Sequence, residues 1–517
     1  MVEQAGIVDF VDEKLKELRK GPGRQRSLSV HALFVGAALA ARQGRFFVAQ
    51  AVDVLNGLDG RTRRRLGANP TTGSPVTHRQ AYYLLDQIAL ALGKDLPTTD
   101  IKDEDRYAVF DHVFSAISRS GRHSDTAKSA SIAIDGTEIE TWGTRKNVYV
   151  HGTDDEDGEE KWTKMRRVTD PDAAYRGSRD HDYKDPVFGY EVSVAVSVRD
   201  VDVDDAVRGV VAARFRPANV NARTVALSLV EEVRNLHGTI GDVLVDREYT
   251  QQNDGQDFLL PLRRMGAEPV FDFKSTQIGP RGMVHGAVII EGRPYSPSLP
   301  EALRNITPPR SKGTDTYKPS PQAVEEYQQR IAAREIYAMV PHGAPNVDKG
   351  TFTFQCPSAA GRLRCPIQAP RGATRAGLLP AANPPIRELV LKGTVCDKRY
   401  KTFSFEDLPL YQRDVYGSKE WARSYARRGG NVESFFAAIK DEAAEGIRRG
   451  RIRVRGLVKT GLAVAFAIAS ANVRLARAWD RRAHSSTKKR KVGRPAAQRL
   501  TTFEPLEGQA VVTPLRV

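Results

Sequence analysis

The sequence predicts an α/β protein in which helices precede a mixed sheet and a mostly β insertion interrupts the sheet domain. Apolar residues at helical spacing dominate residues 1–100. From about residue 130 the order changes to strand, strand, strand, helix, strand. Residues 251–415 are rich in proline and glycine and carry short strand-like pieces, which is typical of a small fold of its own.

The first 100 residues are predicted to form short helices with basic connections. Ser29 is the expected cap of a helix in "SLSVHALFVGAALAARQ", and a second helix should stop at Gly57. After the basic loop "DGRTRRRLG", a third helix begins in "THRQAYYLLDQ". Such an arrangement can bind DNA, with the third helix in a groove. A plain helical bundle that packs on the next domain is the alternative.

The first part of the sheet domain is predicted over residues 128–250. Its strands are expected in "SIAIDGTEIE", "GYEVSVAVSV", "RGVVAARFRP" and "IGDVLVDREY". The helix between the last two should be capped by Asn221 and closed by Gly238. The acidic stretch "TDDEDGEE" is interpreted as a solvated loop.

The rest of the chain divides into three predicted parts. The insertion, residues 251–415, contains one expected helix, "SPQAVEEYQQRIAAREIYAMV". Residues 416–482 should return to the sheet domain as helices, one of them in "GGNVESFFAAIKDE" with Asn431 as its cap. Residues 483–517 are basic and poor in apolar side chains, so they are predicted to be a disordered tail.

Charge and cysteine content narrow the class of protein. The chain has 517 residues, a formal charge of +16 and a pI of about 9.7, which suits a polyanionic partner, nucleic acid before a membrane surface. Three cysteines fit a reducing compartment rather than a disulfide framework. The most apolar run, residues 461–473, is shorter than the roughly 20 residues of a membrane span. We therefore expect a soluble intracellular protein with this run as a buried helix.

Two aspartates that follow apolar strand segments are the first candidate site residues. Asp135 follows "SIAI", and Asp246 follows "VLV". A carboxylate at the end of a buried strand is costly unless it is paired or bound to a metal. On neighbouring strands the two would lie side by side, and a divalent cation would remove their repulsion. Glu433, on a helix across the sheet, would complete a two-metal site suited to displacement at a phosphodiester.

Each acid has an ordinary structural interpretation as well. An Asp after a strand commonly forms a turn. A Glu in the first turn of a helix commonly interacts with the helix dipole. For each acid alone this interpretation is preferred, and it is the joint order of the three that favours a site.

A second pattern surrounds Glu433. Tyr425, two residues, Arg428, four residues, Glu433, six residues and Lys440 follow one another. This set resembles the Tyr-Arg-Glu-Lys signature of a group of DDE transposases of bacterial insertion sequences, whose catalytic domain is RNase H-like. The resemblance is specific over residues 131–137, 169–196, 241–249 and 425–440, diffuse across the insertion and absent in the tail. It implies that a mostly β insertion separates the second acid from the third.

The resemblance implies roles for the signature residues. Asp135, Asp246 and Glu433 would be catalytic and hold Mg²⁺, with Mn²⁺ as an expected substitute. Lys440 lies seven residues after Glu433, about two helical turns, and would meet a DNA phosphate from the same face. The other two implied DNA-binding residues are an arginine that grips a phosphate bidentately, Arg428, and a ring that stacks on a sugar or base or bonds a phosphate, Tyr425.

Two departures from the group's pattern concern the geometry of the site. The group has three residues between its Arg and Glu, so the extra residue here leaves Arg427 or Arg428 as the match. The distance from Tyr425 favours Arg428. The group also has a Gly two residues after its second Asp, where this chain has Glu248, a fourth acid near the site.

The function implied is that of a transposase. It would bind the terminal inverted repeats of its element, cut at each end and join the 3′ hydroxyls to target DNA. Its partners would be double-stranded DNA, at the ends and at the target, and a second copy in a homodimer. A bacterial, cytoplasmic, nucleoid-associated protein without a membrane partner is expected. The alternatives are a domesticated or inactive DNA-binding relative, an RNase H-fold nuclease of repair, and a basic nucleoid protein.

The cysteines and the tail have several interpretations. Zinc at Cys356, Cys365 and Cys396 would be one ligand short of a closed structural site, so buried free thiols are preferred. In the tail, "KKRKVGRP" resembles a minor-groove hook and also a nuclear localisation run, which has no meaning in bacteria. A solubilising tail is the third interpretation.

Overall fold

The structure is a computed structural model. It describes residues 2–18, 26–44, 46, 48–96, 104–143, 145–153, 160–176, 187–199, 207–250, 255–309, 319–368, 378–448 and 450–489.

Seven helices form the N-terminal region within the described residues. They are α1 (Val2–Ala5), α2 (Val8–Glu17), α3 (Val30–Ala41), α4 (Val48–Asn56), α5 (Gly60–Leu66), α6 (His78–Leu92) and α7 (Ala108–Arg119). The predicted cap of α3 is confirmed, since the Ser29 hydroxyl accepts a hydrogen bond from the Ala32 amide. Helix α6 begins with a capping box in which Thr77 and Gln80 satisfy each other's backbone amides.

The predicted α/β class with a mixed sheet is confirmed. The main sheet contains β1 (Ile132–Glu140), β4 (Ala174–Tyr175), β5 (Phe188–Ser197), β6 (Val210–Pro217), β7 (Asp242–Val245) and β8 (Glu268–Phe271). Strand β5 pairs antiparallel with β1 on one edge and with β6 and β4 on the other. Strand β7 pairs parallel with both β1 and β8. Strand β1, in the middle of the sheet, therefore has one antiparallel neighbour, β5, and one parallel neighbour, β7.

Two elements of the sheet region differ from the sequence prediction. Strand β8 adds to the sheet beside β7, so the sheet extends past residue 250 and includes residues that were assigned to the insertion. A hairpin of β2 (Arg145–Thr153) and β3 (Glu160–Val168) follows β1 and was not predicted as strands. The loop expected over "TDDEDGEE" falls mostly on residues 154–159, outside the described residues.

Helices cover both faces of the sheet. Side chains of β1 alternate, so Ile132 and Ile134 face one hydrophobic cluster while Ala133 faces the other. The first cluster includes α8 (Ala222–His237) and α9 (Gln256–Arg264). The second cluster joins the sheet to α7, to the last helix of the chain and to α2–α6. The N-terminal helices thus share one core with the sheet.

The region from β8 to the C-terminal helices contains two small sheets. One consists of β9 (Pro280–Val284), β10 (Ala287–Ile290) and β11 (Arg293–Tyr295). After α10 (Pro321–Glu335), the second consists of β12 (Val340–Pro341), β13 (Thr351–Gln355) and β14 (Tyr400–Ser404). Helix α10 begins at the predicted place, with the Ser320 side chain as its cap. These sheets have apolar clusters of their own.

The C-terminal helices begin with α11 (Lys419–Arg428), capped by Ser418. The helix continues through a π-helical turn (Gly429–Glu433) into α12 (Ser434–Lys440). The prediction that Asn431 caps a new helix is therefore wrong. Its side-chain amide instead donates to the Arg427 carbonyl oxygen at 2.5 Å, because the backbone arrives at Asn431 already helical.

The last helix, α13, spans Leu457–Lys489. Its segment Leu457–Arg482 is long and apolar enough to cross a membrane, but 78% of the most apolar window is buried inside the protein. Burial, rather than the short apolar run seen in the sequence, identifies it as a core helix. The chain divides into two compact units after Ala476. The helix includes residues 483–489, which were assigned to the disordered tail, and residues 490–517 lie outside the described residues.

Candidate active site

The sheet brings the two aspartates to the same level of adjacent strands. In the parallel ladder Ile132 pairs with Val243, an offset of 111 residues (243 − 132). The offset between Asp135 and Asp246 is also 111 (246 − 135). Asp246 directly follows β7, as predicted, but Asp135 lies inside β1, which continues to Glu140. The strand continues because β5 pairs with it along its whole length.

The third acid reaches the aspartates through the π-helical turn. Five positions separate Arg428 from Glu433, one more than the α-helical spacing of four. The turn Gly429–Glu433 absorbs the extra residue, because a π-helix pairs position i with i+5. Arg428 Nη1 consequently donates to Glu433 Oε1 at 2.9 Å. Arg428 and Glu433 therefore remain on one face despite the longer spacing.

The guanidinium of Arg428 lies among all three acids. Its Nη2 donates to Asp135 Oδ2 at 3.0 Å and lies 3.7 Å from Asp246 Oδ2. The adjacent Arg427 points elsewhere, toward Asp242 Oδ2 at 2.5 Å and the Arg199 carbonyl oxygen at 3.0 Å. The structure therefore selects Arg428 as the arginine that faces the acids. Its contacts are with carboxylates of its own chain.

Burial changes the protonation of the site. The pKa of Asp135 rises to about 6, chiefly because burial disfavours its charge, while Arg428 acts in the opposite direction. For Arg428 burial acts to lower the pKa, but Asp135, Asp246 and Glu433 outweigh it and the pKa is raised. Exposure increases from the side chain of Asp135 (24%) through Asp246 (39%) to Glu433 (60%). The site is thus open to solvent on the side of the third acid.

Lys440 and Tyr425 flank the acids. Lys440 Nζ donates to the hydroxyl of Thr137, two residues after Asp135. Burial lowers the pKa of Lys440, and the charges of Glu138 and Asp135 partly oppose this effect. The Tyr425 ring stacks on Trp421 with ring centroids 5.2 Å apart. Burial raises the pKa of Tyr425 to about 12, so it remains a neutral hydrogen-bonding group.

Glu248 does not join the cluster around Arg428. The short 3-10 turn Arg247–Thr250 follows Asp246, whose Oδ1 accepts a hydrogen bond from the Glu248 amide at 2.5 Å. Asp246 thus organises this turn with Glu248, and not a glycine, two residues later. The Glu248 carboxylate lies 3.6 Å from Arg176 Nη2.

A second cluster of acids lies beside the first and was missed in the sequence. Arg176 Nη1 lies 3.1 Å from Glu138 and 3.7 Å from Glu191, while its Nη2 approaches Glu248. Burial raises the pKa of Glu191 to about 7, although Arg176 acts to lower it. A signal was present, since Glu191 is the only charged residue in the apolar strand "GYEVSVAVSV".

The second cluster explains why a glycine, Gly136, follows Asp135. A Cβ atom at Gly136 would lie 2.6 Å from Glu191 Oε1, well inside van der Waals contact. Glycine therefore allows the buried carboxylate to lie against the backbone of β1. The two clusters are in this way packed against opposite sides of one strand segment.

The ligand types of the first cluster fit Mg²⁺ or Mn²⁺. Oxygens of Asp135 and Asp246 approach one cationic atom, Arg428 Nη2, and carboxylate oxygens are the ligands such ions prefer. The distances from these oxygens to Nη2, 3.0 and 3.7 Å, are those of ion pairs with a guanidinium. In the part of the chain that the structure describes, no group of three or more His, Cys, Asp or Glu side chains is arranged to hold a metal ion. The residues fit a divalent ion in kind and charge, while Arg428 sets their separation.

The three cysteines are free thiols in the region of the small sheets. Cys356 and Cys365 are buried, and Cys396 is half-buried. Burial raises the pKa of Cys356 and raises that of Cys396 to about 12, so these thiols are protonated near neutral pH. Zinc binds cysteines as thiolates, so zinc at Cys356, Cys365 and Cys396 would have to displace these protons. The zinc site stays a prediction.

Comparison with known proteins gives little independent information. No protein-family model matches the chain, and no curated protein matches its sequence. Among solved structures it is similar to a piggyBac transposase synaptic complex with hairpin DNA, at 10% identity and a TM-score of 0.29, covering 96% of this chain and 80% of that chain. A TM-score of this size supports neither a fold nor a function.

Proposed function

We propose that this chain is a DDE transposase with an RNase H-like catalytic core. The observation that carries the proposal is the convergence of Asp135, Asp246 and Glu433 on the guanidinium of Arg428. The acids come from a central strand, from the end of its parallel neighbour and from a helix 187 residues further on (433 − 246). Carboxylate oxygens are the ligands that Mg²⁺ and Mn²⁺ prefer, and displacement at a phosphodiester can use ions held in this way.

The arrangement of the sheet supports the RNase H-like core. The first acid lies on β1, between an antiparallel and a parallel neighbour, and helices cover both faces. The second acid follows the parallel neighbour at the same level. The region with the two small sheets lies between the second and third acids, where the resemblance implies an insertion.

The proposed chemistry assigns each residue a task. When bound by Asp135, Asp246 and Glu433, Mg²⁺ or Mn²⁺ would activate the attacking oxygen and stabilise the leaving oxygen. Lys440 and Arg428 would bind DNA phosphates and align the scissile bond, since both carry charge beside the acids. Tyr425 would contact a sugar, base or phosphate through its partly exposed ring.

The proposed partners follow from this activity. Double-stranded DNA would bind at the terminal inverted repeats and at the target, favoured by the charge of +16. A homodimer would pair the two ends of the element. The proposed location is the nucleoid of a bacterial cytoplasm.

Substitution of each acid tests the proposal. Asp135→Asn, Asp246→Asn and Glu433→Gln should each abolish Mg²⁺-dependent cleavage of duplexes that carry the repeats flanking the gene, and leave binding to those duplexes unchanged. The physical reason is that an amide keeps the shape of a carboxylate but loses its charge. Cleavage is measured on end-labelled DNA, and binding by gel shift.

The matched control is Glu442→Gln. Its side chain is 64% exposed, close to the 60% of Glu433, and it pairs with Arg448 instead of the site. This variant should cleave at the wild-type rate. Wild-type cleavage by Glu433→Gln would refute the assignment. Wild-type binding without cleavage would identify an inactive DNA-binding relative, and cleavage without end specificity or joined products would identify a nuclease.

A further inference from the structure

We propose that Arg428 and the divalent cation exclude each other from the space between Asp135 and Asp246, so that Arg428 must withdraw before the metal binds. This inference rests on the proposed function and concerns the regulation of the same site. It assigns Arg428 a role in holding the acids together, in addition to any contact with DNA.

The contacts show that Arg428 already performs the electrostatic task of a metal. Three carboxylates in close proximity repel one another unless a cation lies among them. Nη2 lies between Asp135 and Asp246, and Nη1 contacts Glu433, so a single guanidinium pairs with all three. The side chain of Arg428 is 8% exposed and that of Asp135 is 24% exposed, so solvent screens the pair with Asp135 least.

Simultaneous occupancy conflicts with both distance and charge. Magnesium requires carboxylate oxygens at about 2.0–2.1 Å. The oxygens of Asp135 and Asp246 lie 3.0 and 3.7 Å from Nη2, so this nitrogen already takes up the two carboxylate oxygens that the ion would need. An ion bound by the same two carboxylates would also be repelled strongly by the positive guanidinium beside it. Entry of the ion therefore requires the guanidinium to leave.

The side chain of Arg428 is held mainly by the acids. Its Nε is buried and has no hydrogen-bond partner among the residues that the structure describes. The hydrogen bonds that its Nη atoms make in the described structure end on Glu433 and Asp135. Arg427 differs, since its guanidinium also donates to two backbone carbonyl oxygens. Arg428 is consequently able to exchange its carboxylate partners for another anion without losing a backbone anchor.

A DNA phosphate is the anion that fits this exchange. A guanidinium binds phosphate and carboxylate through the same forked geometry. Arrival of DNA would thus offer Arg428 a new partner and free the acids for the metal. Metal binding and DNA binding would reinforce each other through one side chain.

The test measures Mn²⁺ alone bound to the full-length protein, with free Mn²⁺ followed by electron paramagnetic resonance. Arg428→Ala should tighten Mn²⁺ binding by about tenfold, because the ion no longer competes with a partly buried ion pair. The matched control is Arg413→Ala, which removes one positive charge paired with Asp242 at 3.1 Å. The control should bind Mn²⁺ as the wild type does. Asp135→Asn defines the site and should lose the binding.

The outcomes separate this inference from the proposed function. Equal Mn²⁺ affinity of Arg428→Ala and wild type, or equal tightening in Arg413→Ala, would overturn the inference and leave the function standing. Wild-type Mn²⁺ affinity in Asp135→Asn would instead remove the metal site and with it the proposed function. If Arg428→Ala does not fold, Arg428→Gln replaces it, since it keeps a polar side chain without the charge. Its Mn²⁺ affinity is then compared with those of the wild type and Arg413→Ala.

Discussion

Glu191 shows at the scale of one residue how the site depends on buried charge. The residue is 4% exposed, and burial raises the pKa of its carboxyl to about 7 from an ordinary 4.5. The folded protein therefore keeps this proton to a higher pH than the unfolded chain. Its contribution to stability is complete below pH 4.5 and is lost as the pH rises through about 7.

Glu191→Gln should therefore flatten the pH dependence of stability. The loss in the free energy of unfolding between acid and mildly basic pH should shrink by up to about 3 kcal/mol, since a glutamine does not ionise. Urea unfolding at a series of pH values measures it. Glu140→Gln, an exposed position on the neighbouring strand β1, is the control and should behave like the wild type. An unchanged slope in Glu191→Gln would contradict the burial argument.

The π-helical turn shows at the scale of an element how a local irregularity preserves a site. Gly429 and Gly430 stand at its start, and the extra residue lies between Arg428 and Glu433. In a regular α-helix the extra residue would rotate Glu433 about 100° away from Arg428, since successive residues are spaced at 3.6 per turn. The π turn removes this rotation, as is frequent at functional sites.

Deletion of one of these two glycines should restore a regular helix with the same face. Arg428 and Glu433 would then be four positions apart and still adjacent. We expect cleavage to be retained and the free energy of unfolding to rise by about 1 kcal/mol, because an interior helical glycine is costly. Cleavage of labelled ends and urea unfolding measure the two effects. Complete loss of cleavage would show that the π turn itself is required.

At the scale of the whole molecule, the N-terminal helices carry exposed basic and aromatic side chains. Arg61, Arg64 and Arg65 of α5 are exposed. Two large aromatic side chains of α6 are exposed as well, Tyr82 at 46% and Tyr83 at 60%. The other face of α6 is buried in the core shared with the sheet, and α5 packs against this core through the partly buried Leu66.

The double variant Arg64→Ala/Arg65→Ala should weaken binding to the end duplex. Each lost phosphate contact should reduce the slope of log affinity against log salt by about 1. Gel shifts at several salt concentrations measure it. Arg362→Ala/Arg364→Ala, two exposed arginines of the insertion, is the charge-matched control. Equal losses in both variants would indicate a general effect of net charge and argue against this surface.

Local signals made part of the fold predictable. The caps Ser29 and Asn221 and the strand β1 follow from side-chain chemistry and period, which neighbouring residues determine. The position of β8 in the main sheet could not be predicted from local signals, since it depends on pairing with β7. The prediction that Asn431 caps a helix was wrong because Asn431 lies inside a continuous helical segment that begins at Lys419.

For the candidate site, the carboxylates and their order could be predicted from the sequence, because acids after apolar strands and a Glu–Lys pair seven residues apart are local features. Only the tertiary structure decided that Arg428 lies among them. Its contact with Asp135 joins positions 293 residues apart. The second cluster, with Arg176 and Glu191, was decided in the same way. The physical reason is that ion pairing and burial depend on which distant segments meet, and strand register and helix packing fix that only in the folded chain.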